Sequence, residues 1–297
     1  MNEQGTGSPA VILESGIAAT SLSWAFVQPR LAVLTQVMSY DRAGLGWSTP
    51  SNKPRNIEQM MDDLRGLLLC ADIAPPYILV GHSFGGLLIR SFAHFFAWEV
   101  AGLVLVDPVS VRSWANCDET QRKRLALGIR LSRRGAHLAR LGVVRLALNV
   151  LLRAGTLFPK LVAKTTAGQA AGFLDRIAGE VRRLRPELWP AVIAHWSRPK
   201  SFQAMAEHLE CLESSARFAS SVSIPAHLPV TVLSASTATL SELQERDEWV
   251  STSARGRHIL LENCGHWIQL ENPDAVVDAV SDLVKLLREF RDPAASY

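Results

Sequence analysis

The stretch Val80-Gly81-His82-Ser83-Phe84-Gly85-Gly86 constrains this chain more than any other. The apolar run Tyr77-Ile78-Leu79-Val80 precedes it, and Phe84 to Phe95 follows with a helical pattern. The pattern predicts strand, tight turn and helix, with G-x-S-x-G at the turn. A serine hydroxyl is raised out of such a turn only if its backbone is strained and its neighbours lack side chains. It then faces substrate, while the helix N-terminus aims N–H groups at developing negative charge. A reactive serine of this kind requires a histidine and an acid from elsewhere in the chain.

Continuous apolar strands recur on either side of this turn. Ala10 to Glu14 reads as a buried strand ending at Ser15-Gly16-Ile17, and a helix through Trp24 and Phe26 is expected next. Val37 to Tyr40 is the next strand. It runs into the loop Asp41-Arg42-Ala43-Gly44-Leu45-Gly46-Trp47-Ser48, whose glycines suit tight turning, with Asp41 and Arg42 bonding locally. No G-K-[ST] closes that loop, so it is no phosphate cradle of the P-loop kind. Asn56 caps a helix whose stripe is Ile57, Met60, Met61, Leu64 and Leu68. Gly102 to Val106 is a strand ending at Asp107-Pro108. Strand Pro229 to Leu233, a helix from about Leu240 to Val250 and strand His258 to Leu261 restore the rhythm late in the chain. The loop with Gly265-His266-Trp267 leads to a last helix, capped by Asn272 with Pro273 at its first position. Strands of this kind alternating with helices imply a mostly parallel sheet covered on both faces.

Residues 112–225 interrupt the alternation. They hold no convincing strand, and they carry 19 basic against 8 acidic residues, whereas the rest of the 297-residue chain has 12 against 20. The division is a core of 1–111 and 226–297 with a helical cap of 112–225 over the carboxyl ends of the strands. Leu138 to Leu152 is apolar nearly all round but too short to span a bilayer. A buried cap helix is the reading favoured over a lid of a substrate tunnel or a surface touching lipid. The four cysteines lack C-x-x-C spacing, and the first residues carry no secretory pattern, which together predict reduced thiols in the cytoplasm.

A serine near neutral pH needs a base as it attacks. His266 follows the last strand in a glycine-containing loop that reaches the carboxyl edge of the sheet; His82 is read as structural, pointing the other way. An acid just after Val230–Leu233 is absent, because that stretch is Ser234-Ala235-Ser236-Thr237-Ala238-Thr239. Glu242, Glu245 and Asp247 come later, on a helix expected to face away. Asp107, one strand earlier, stands at the same sheet edge as Ser83 and is the expected acid, holding the imidazole tautomer. The oxyanion donors expected are the N–H groups of Phe84 and Ile17.

These residues resemble the α/β-hydrolase family over most of the chain apart from its middle. The resemblance rests on Glu14-Ser15-Gly16, Tyr40 to Ser48, Gly81 to Gly86, Val104-Leu105-Val106-Asp107-Pro108 and Gly265-His266. It implies an α/β-hydrolase fold and an acyl-enzyme mechanism, and in a similar subgroup the acid follows the strand before the cap, as Asp107 does. Ser15-Gly16 replaces the histidine-glycine usual at the first oxyanion turn. The antiparallel strand pair usual at the front of the family is expected to be missing, leaving an exposed edge at the strand that ends at Tyr40.

The leading function is that of a carboxylic-ester hydrolase with Ser83, Asp107 and His266 as triad, needing no metal or cofactor. Its partner would be a small-molecule acyl substrate with an apolar acyl group, with Trp47 and Trp267 as pocket walls. Lactone, amide or carbon–carbon bond hydrolysis and acyl transfer use the same triad, and a small-ligand binding protein on the same fold is the reading from another class. No compact basic motif with interleaved aromatics speaks for nucleic acid, and contact of the basic cap with a membrane surface is the lesser expectation.

Overall fold

The computed structural model of the protein describes residues 1–153 and 183–291. Its framework is a seven-stranded sheet in the order β1-β3-β2-β4-β5-β6-β7. The strands are β1 (Asn2–Gln4), β2 (Ala10–Glu14), β3 (Val37–Ser39), β4 (Tyr77–His82), β5 (Val100–Val106), β6 (Val230–Ala235) and β7 (Gly256–Leu261). All neighbours are parallel except β1 and β3. This corrects the expected bare front edge. Asn2, Glu3 and Gln4 pair antiparallel with Ser39, Met38 and Val37, so the edge is covered by a short polar strand with no apolar alternation to announce it.

Period-two side chains sort the strands into two cores. Ile12, Leu79, Leu103 and Leu105 join Met60, Leu64 and Leu68 of α2 (Ile57–Cys70) and Leu88 and Phe92 of α3 (Phe84–Phe95) on one face. Val11, Leu13, Ile78, Val80, Val104 and Val106 join Leu31 of the short helix α1 (Gln28–Leu31) on the other, with Val276, Val280 and Leu283 of the last helix. In place of one helix through Trp24 and Phe26, a 3₁₀ turn (Ser21–Trp24) is followed by α1, with Pro29 in its first turn.

Between β5 and β6 run α4 (Val111–Ala115), α5 (Glu119–Arg140), α6 (Val143–Arg153), α7 (Trp189–Trp196), α8 (Pro199–Glu210) and α9 (Leu212–Ser220). Residues 154–182 of the expected cap lie outside the described residues. The apolar run from Leu138 is broken at Gly142, whose φ of 73° separates α5 from α6. Leu146 and Val150 of α6 are exposed, while Leu148 packs on a cap cluster of Leu184, Val192, Trp196, Met205 and Leu209. That cluster also takes in Ala18, Ala19, Trp267 and Leu270 of the core, so the helices close over the carboxyl edge of the sheet. The chain ends with α10 (Leu240–Ser251), the short α11 (Ile268–Glu271) and α12 (Pro273–Arg291). Among the described residues, no helix is long and apolar enough to cross a membrane.

Candidate active site

Register brings the chemistry together. Glu14 of β2 lies opposite Gly81, His82 of β4 opposite Val106, and Val106 of β5 opposite Leu233 of β6. The loops leaving β2, β4, β5 and β6 therefore emerge side by side, and between β2 and β4 the strand order reverses, where open parallel sheets form a crevice.

Ser83 stands at that switch point with φ 53° and ψ −117°, a conformation a side chain adopts only under strain, and it is the N-cap of α3. Its N–H donates to the Val106 carbonyl at 3.0 Å, and its own carbonyl accepts from Gly86 and Val109. A Cβ on Gly85 would stand 2.6 Å from the Glu14 carbonyl oxygen, and one on Gly16 would stand 3.3 Å from the Ser83 Cβ. The glycines thus let α3 and the turn after β2 close on the serine, and Ile17 follows directly in that turn.

That turn is held from below by residues that sequence reasoning did not connect to it. Arg42 does not bond locally. Its Nη1 donates to Glu14 Oε1 at 2.6 Å and to the Ser15 carbonyl at 2.8 Å, and its Nη2 donates to the Gly16 carbonyl. The Tyr40 hydroxyl donates to the other Glu14 oxygen. All three side chains are buried. Burial pushes the Glu14 carboxyl up, against the charge of Arg42 and the bonds from Tyr40 and Arg42. Asp41 accepts from the N–H groups of Ser21 and Trp47, closing its own loop.

Asp107 has φ 39°. Its Oδ2 accepts from His266 Nδ1 at 2.6 Å, and its Oδ1 accepts from the Ala235 N–H at 3.1 Å and Arg246 Nη1 at 2.9 Å. Burial alone would raise its pKa, but the His266 bond, the Arg246 charge and the Ala235 donor outweigh it and hold the carboxyl far below the usual carboxylate range. With Nδ1 committed to Asp107, the imidazole keeps Nε2 for other work. The acids on α10 are engaged elsewhere: Glu242 in a capping box with Thr239, Glu245 by the Arg112 N–H, and Asp247 by His258.

His82 does not point away from this group. Its Nε2–H donates to the His266 carbonyl at 2.9 Å, its ring centroid lies 4.7 Å from that of His266, and the Trp267 ring is 4.9 Å away. Trp267 is buried against both histidines, whereas Trp47 is 60% exposed and borders only a small recess with Ala194, His195 and Arg198. The Asp41–Ser48 loop instead ties down the cap. The Gly46 N–H donates to His195 Nδ1 at 2.8 Å, and Lys200 Nζ donates to the Gly46 and Ser48 carbonyls at 2.9 and 2.5 Å. His208 of α8 is fully buried, its ring centroid 6.3 Å from that of Phe84.

The model of the alpha/beta hydrolase family matches residues 11–279. The chain belongs to the alpha/beta hydrolase family. Solved structures of similar shape include the epoxide hydrolase CorEH, with a TM-score of 0.66 at 19% identity over 96% of this chain and 94% of that one. A thermophilic esterase from Thermogutta terrifontis has a TM-score of 0.62 at 20% identity, over 96% and 92%. At such identities the likeness is one of fold. An AB hydrolase superfamily protein of Gibberella zeae is 39% identical over 85 residues, 28% of this chain and 26% of that one. Matches to the first curated relatives span 15% to 42% of those proteins' own lengths.

Proposed function

We propose that the protein is a serine hydrolase of carboxylic esters that works through an acyl-enzyme on Ser83. The observation that carries this reading is the 2.6 Å bond between His266 Nδ1 and Asp107 Oδ2, made at the sheet edge where the strained Ser83 stands. In this reading Ser83 Oγ attacks the acyl carbonyl while His266 Nε2 takes its proton. Asp107 keeps the imidazole in the Nδ1–H tautomer and stabilises the imidazolium without taking the proton. The oxyanion is met by the N–H groups of Phe84 and Ile17. His266 returns its proton to the leaving alcohol, then activates a water that releases the acid and restores the serine.

The nucleophile itself separates this activity from ring opening of an epoxide. A serine that opened an epoxide would be left as an alkyl ether, which a histidine-activated water cannot cleave. Attack on an acyl carbonyl leaves an ester, which it can. The apolar cap cluster around Trp196, Met205 and Trp267 suits an apolar acyl group.

Labelling with a fluorophosphonate, followed by a screen of nitrophenyl esters, lactones, amides and epoxides, tests the reading. Labelling at Ser83 that disappears in His266→Ala, together with ester turnover, is the expected result. A wild-type protein that neither labels nor turns over any ester overturns it.

A further inference from the structure

Arg246 is the only basic residue among the charged positions Glu242, Glu245, Asp247 and Glu248 of α10, yet it is 2% exposed and reaches back to the sheet edge. Nη1 donates to Asp107 Oδ1 at 2.9 Å and to Ser234 Oγ at 2.7 Å, and Nη2 donates to the Pro108 carbonyl at 2.6 Å. Having accepted from Arg246, the Ser234 hydroxyl donates to His258 Nε2 at 2.7 Å. The His258 Nδ1–H donates in turn to Asp247 Oδ1 at 2.6 Å. One guanidinium therefore grips both the side chain of Asp107 and the backbone just beyond it, and a line of bonds to the surface fixes its other acceptor.

We infer that Arg246 is a positioning residue for the triad acid, fixing the Asp107 carboxylate toward His266 and partly cancelling its charge. The inference rests on the serine hydrolase reading for its kinetic consequence. Two physical points carry it. Asp107 holds a positive φ, a strained conformation that needs bonds from its surroundings to persist, and Nη2 supplies one to the carbonyl of the next residue, Pro108. Oδ1 also holds two donors at once, which leaves Oδ2 facing His266; without Arg246, Oδ1 keeps the Ala235 N–H of these two and the carboxylate is held less firmly against rotation.

The charge has a separate effect. Among the described residues, Asp107 from β5 and His82 from β4 touch the His266 ring, and the Arg183–Glu271 pair holds the backbone on either side of it, its carboxylate accepting from the Gly265 and Trp267 N–H groups. Arg183 and Glu271 offset each other. Arg246 is the cation set against Asp107, so removing it leaves the carboxylate to favour the imidazolium more strongly. A residue that merely stapled α10 to the sheet would have no such effect on His266.

The test compares wild type with Arg246→Met, which keeps bulk but loses charge and fork, and Arg246→Lys, which keeps charge but loses the fork. The pH dependence of Ser83 labelling by a fluorophosphonate and the NMR titration of the His266 ring are both followed. In Arg246→Met the acid limb and the His266 ring signal should both move to higher pH, with plateau labelling on the order of tenfold slower. In Arg246→Lys the limb should stay in place while the plateau falls. Superposition of all three His266 titrations overturns the inference, whatever happens to stability. If wild type does not label, the hydrolase reading fails, and the His266 ring signal still decides whether Arg246 offsets the Asp107 charge at His266. Arg246→Gln takes the place of the methionine variant should that fail to fold.

Discussion

His82 Nε2 donates to the backbone carbonyl of His266 at 2.9 Å, joining the residue before the nucleophile to the residue proposed as its base. The bond ties the end of β4 to the loop after β7, so the residue before Ser83 helps to position His266. His82→Phe keeps the ring contacts and removes the donor. A buried neutral hydrogen bond contributes about 1 kcal/mol, so kcat for a nitrophenyl ester should fall roughly five- to tenfold, with KM little changed. Steady-state kinetics of this variant check it.

Asp107→Asn should lower kcat on the order of a thousandfold or more, because an amide accepting at Oδ1 can present N–H to His266 and impose the wrong tautomer. Glu242→Gln and Asp247→Asn should leave turnover within a fewfold of wild type, since those acids serve the α10 cap and His258. Turnover of a single ester by the three variants separates them. An inactive Asp247→Asn beside an active Asp107→Asn would move the acid to α10.

The Glu14–Arg42 pair sits under the turn after β2, where the oxyanion is proposed to bind, with both side chains buried. Arg42→Met strands the Glu14 carboxylate without its counter-charge and frees the Ser15 and Gly16 carbonyls. Breaking a buried pair from one side costs about 3–5 kcal/mol, so the denaturation midpoint should drop well below that of wild type. The double variant Glu14→Gln/Arg42→Met should recover part of this loss while activity stays low, because the turn has still lost its clamp. Urea unfolding and ester turnover of both proteins measure the two effects.

The parallel sheet was legible because strands buried on both faces must be continuously apolar, as Tyr77–Val80 and Gly102–Val106 are. Ser83 and His266 were legible through glycine spacing and chain order. Asp107 was reached by the absence of an acid after β6. What was hidden depends on distance in sequence. Arg42 reads as a loop residue bonding nearby, yet its partners lie 26 to 28 residues back. Arg246 is not singled out in the sequence; its isolation among four acids on α10 is a weak signal of a different destination. The polar strand Asn2–Gln4 exists because the outer edge of β3 offers unpaired backbone groups, a demand that its own side chains do not display. The bonds from Lys200 to the Gly46 and Ser48 carbonyls beside Trp47 were hidden by sequence distance as well, since they span more than 150 residues.

That tether makes the cap sensitive to acid. His195 is buried, its Nδ1 accepts from the Gly46 N–H, and burial, reinforced by the positive charges of Lys200 and Arg198 against the opposing Asp41, lowers its pKa to about 4. The His195 ring is then neutral in the folded protein, whereas in the unfolded chain it titrates near 6.5. Between those values the unfolded state binds more protons, so stability rises with pH. His195 contributes fully above about pH 6.5, and the contribution, roughly 3 kcal/mol, is lost as pH falls to about 4. His208, also buried, is pushed down by burial and by Arg42 and Arg55 and acts in the same sense. The hydrogen-exchange protection factors of residues 41–48 and 189–210, which remove the intrinsic slowing of amide exchange with falling pH, should therefore drop on going from pH 7 to pH 4.5. His195→Gln, which can still accept from Gly46 but does not titrate, should flatten that loss. Equal acid sensitivity in wild type and His195→Gln would place the titrating group elsewhere.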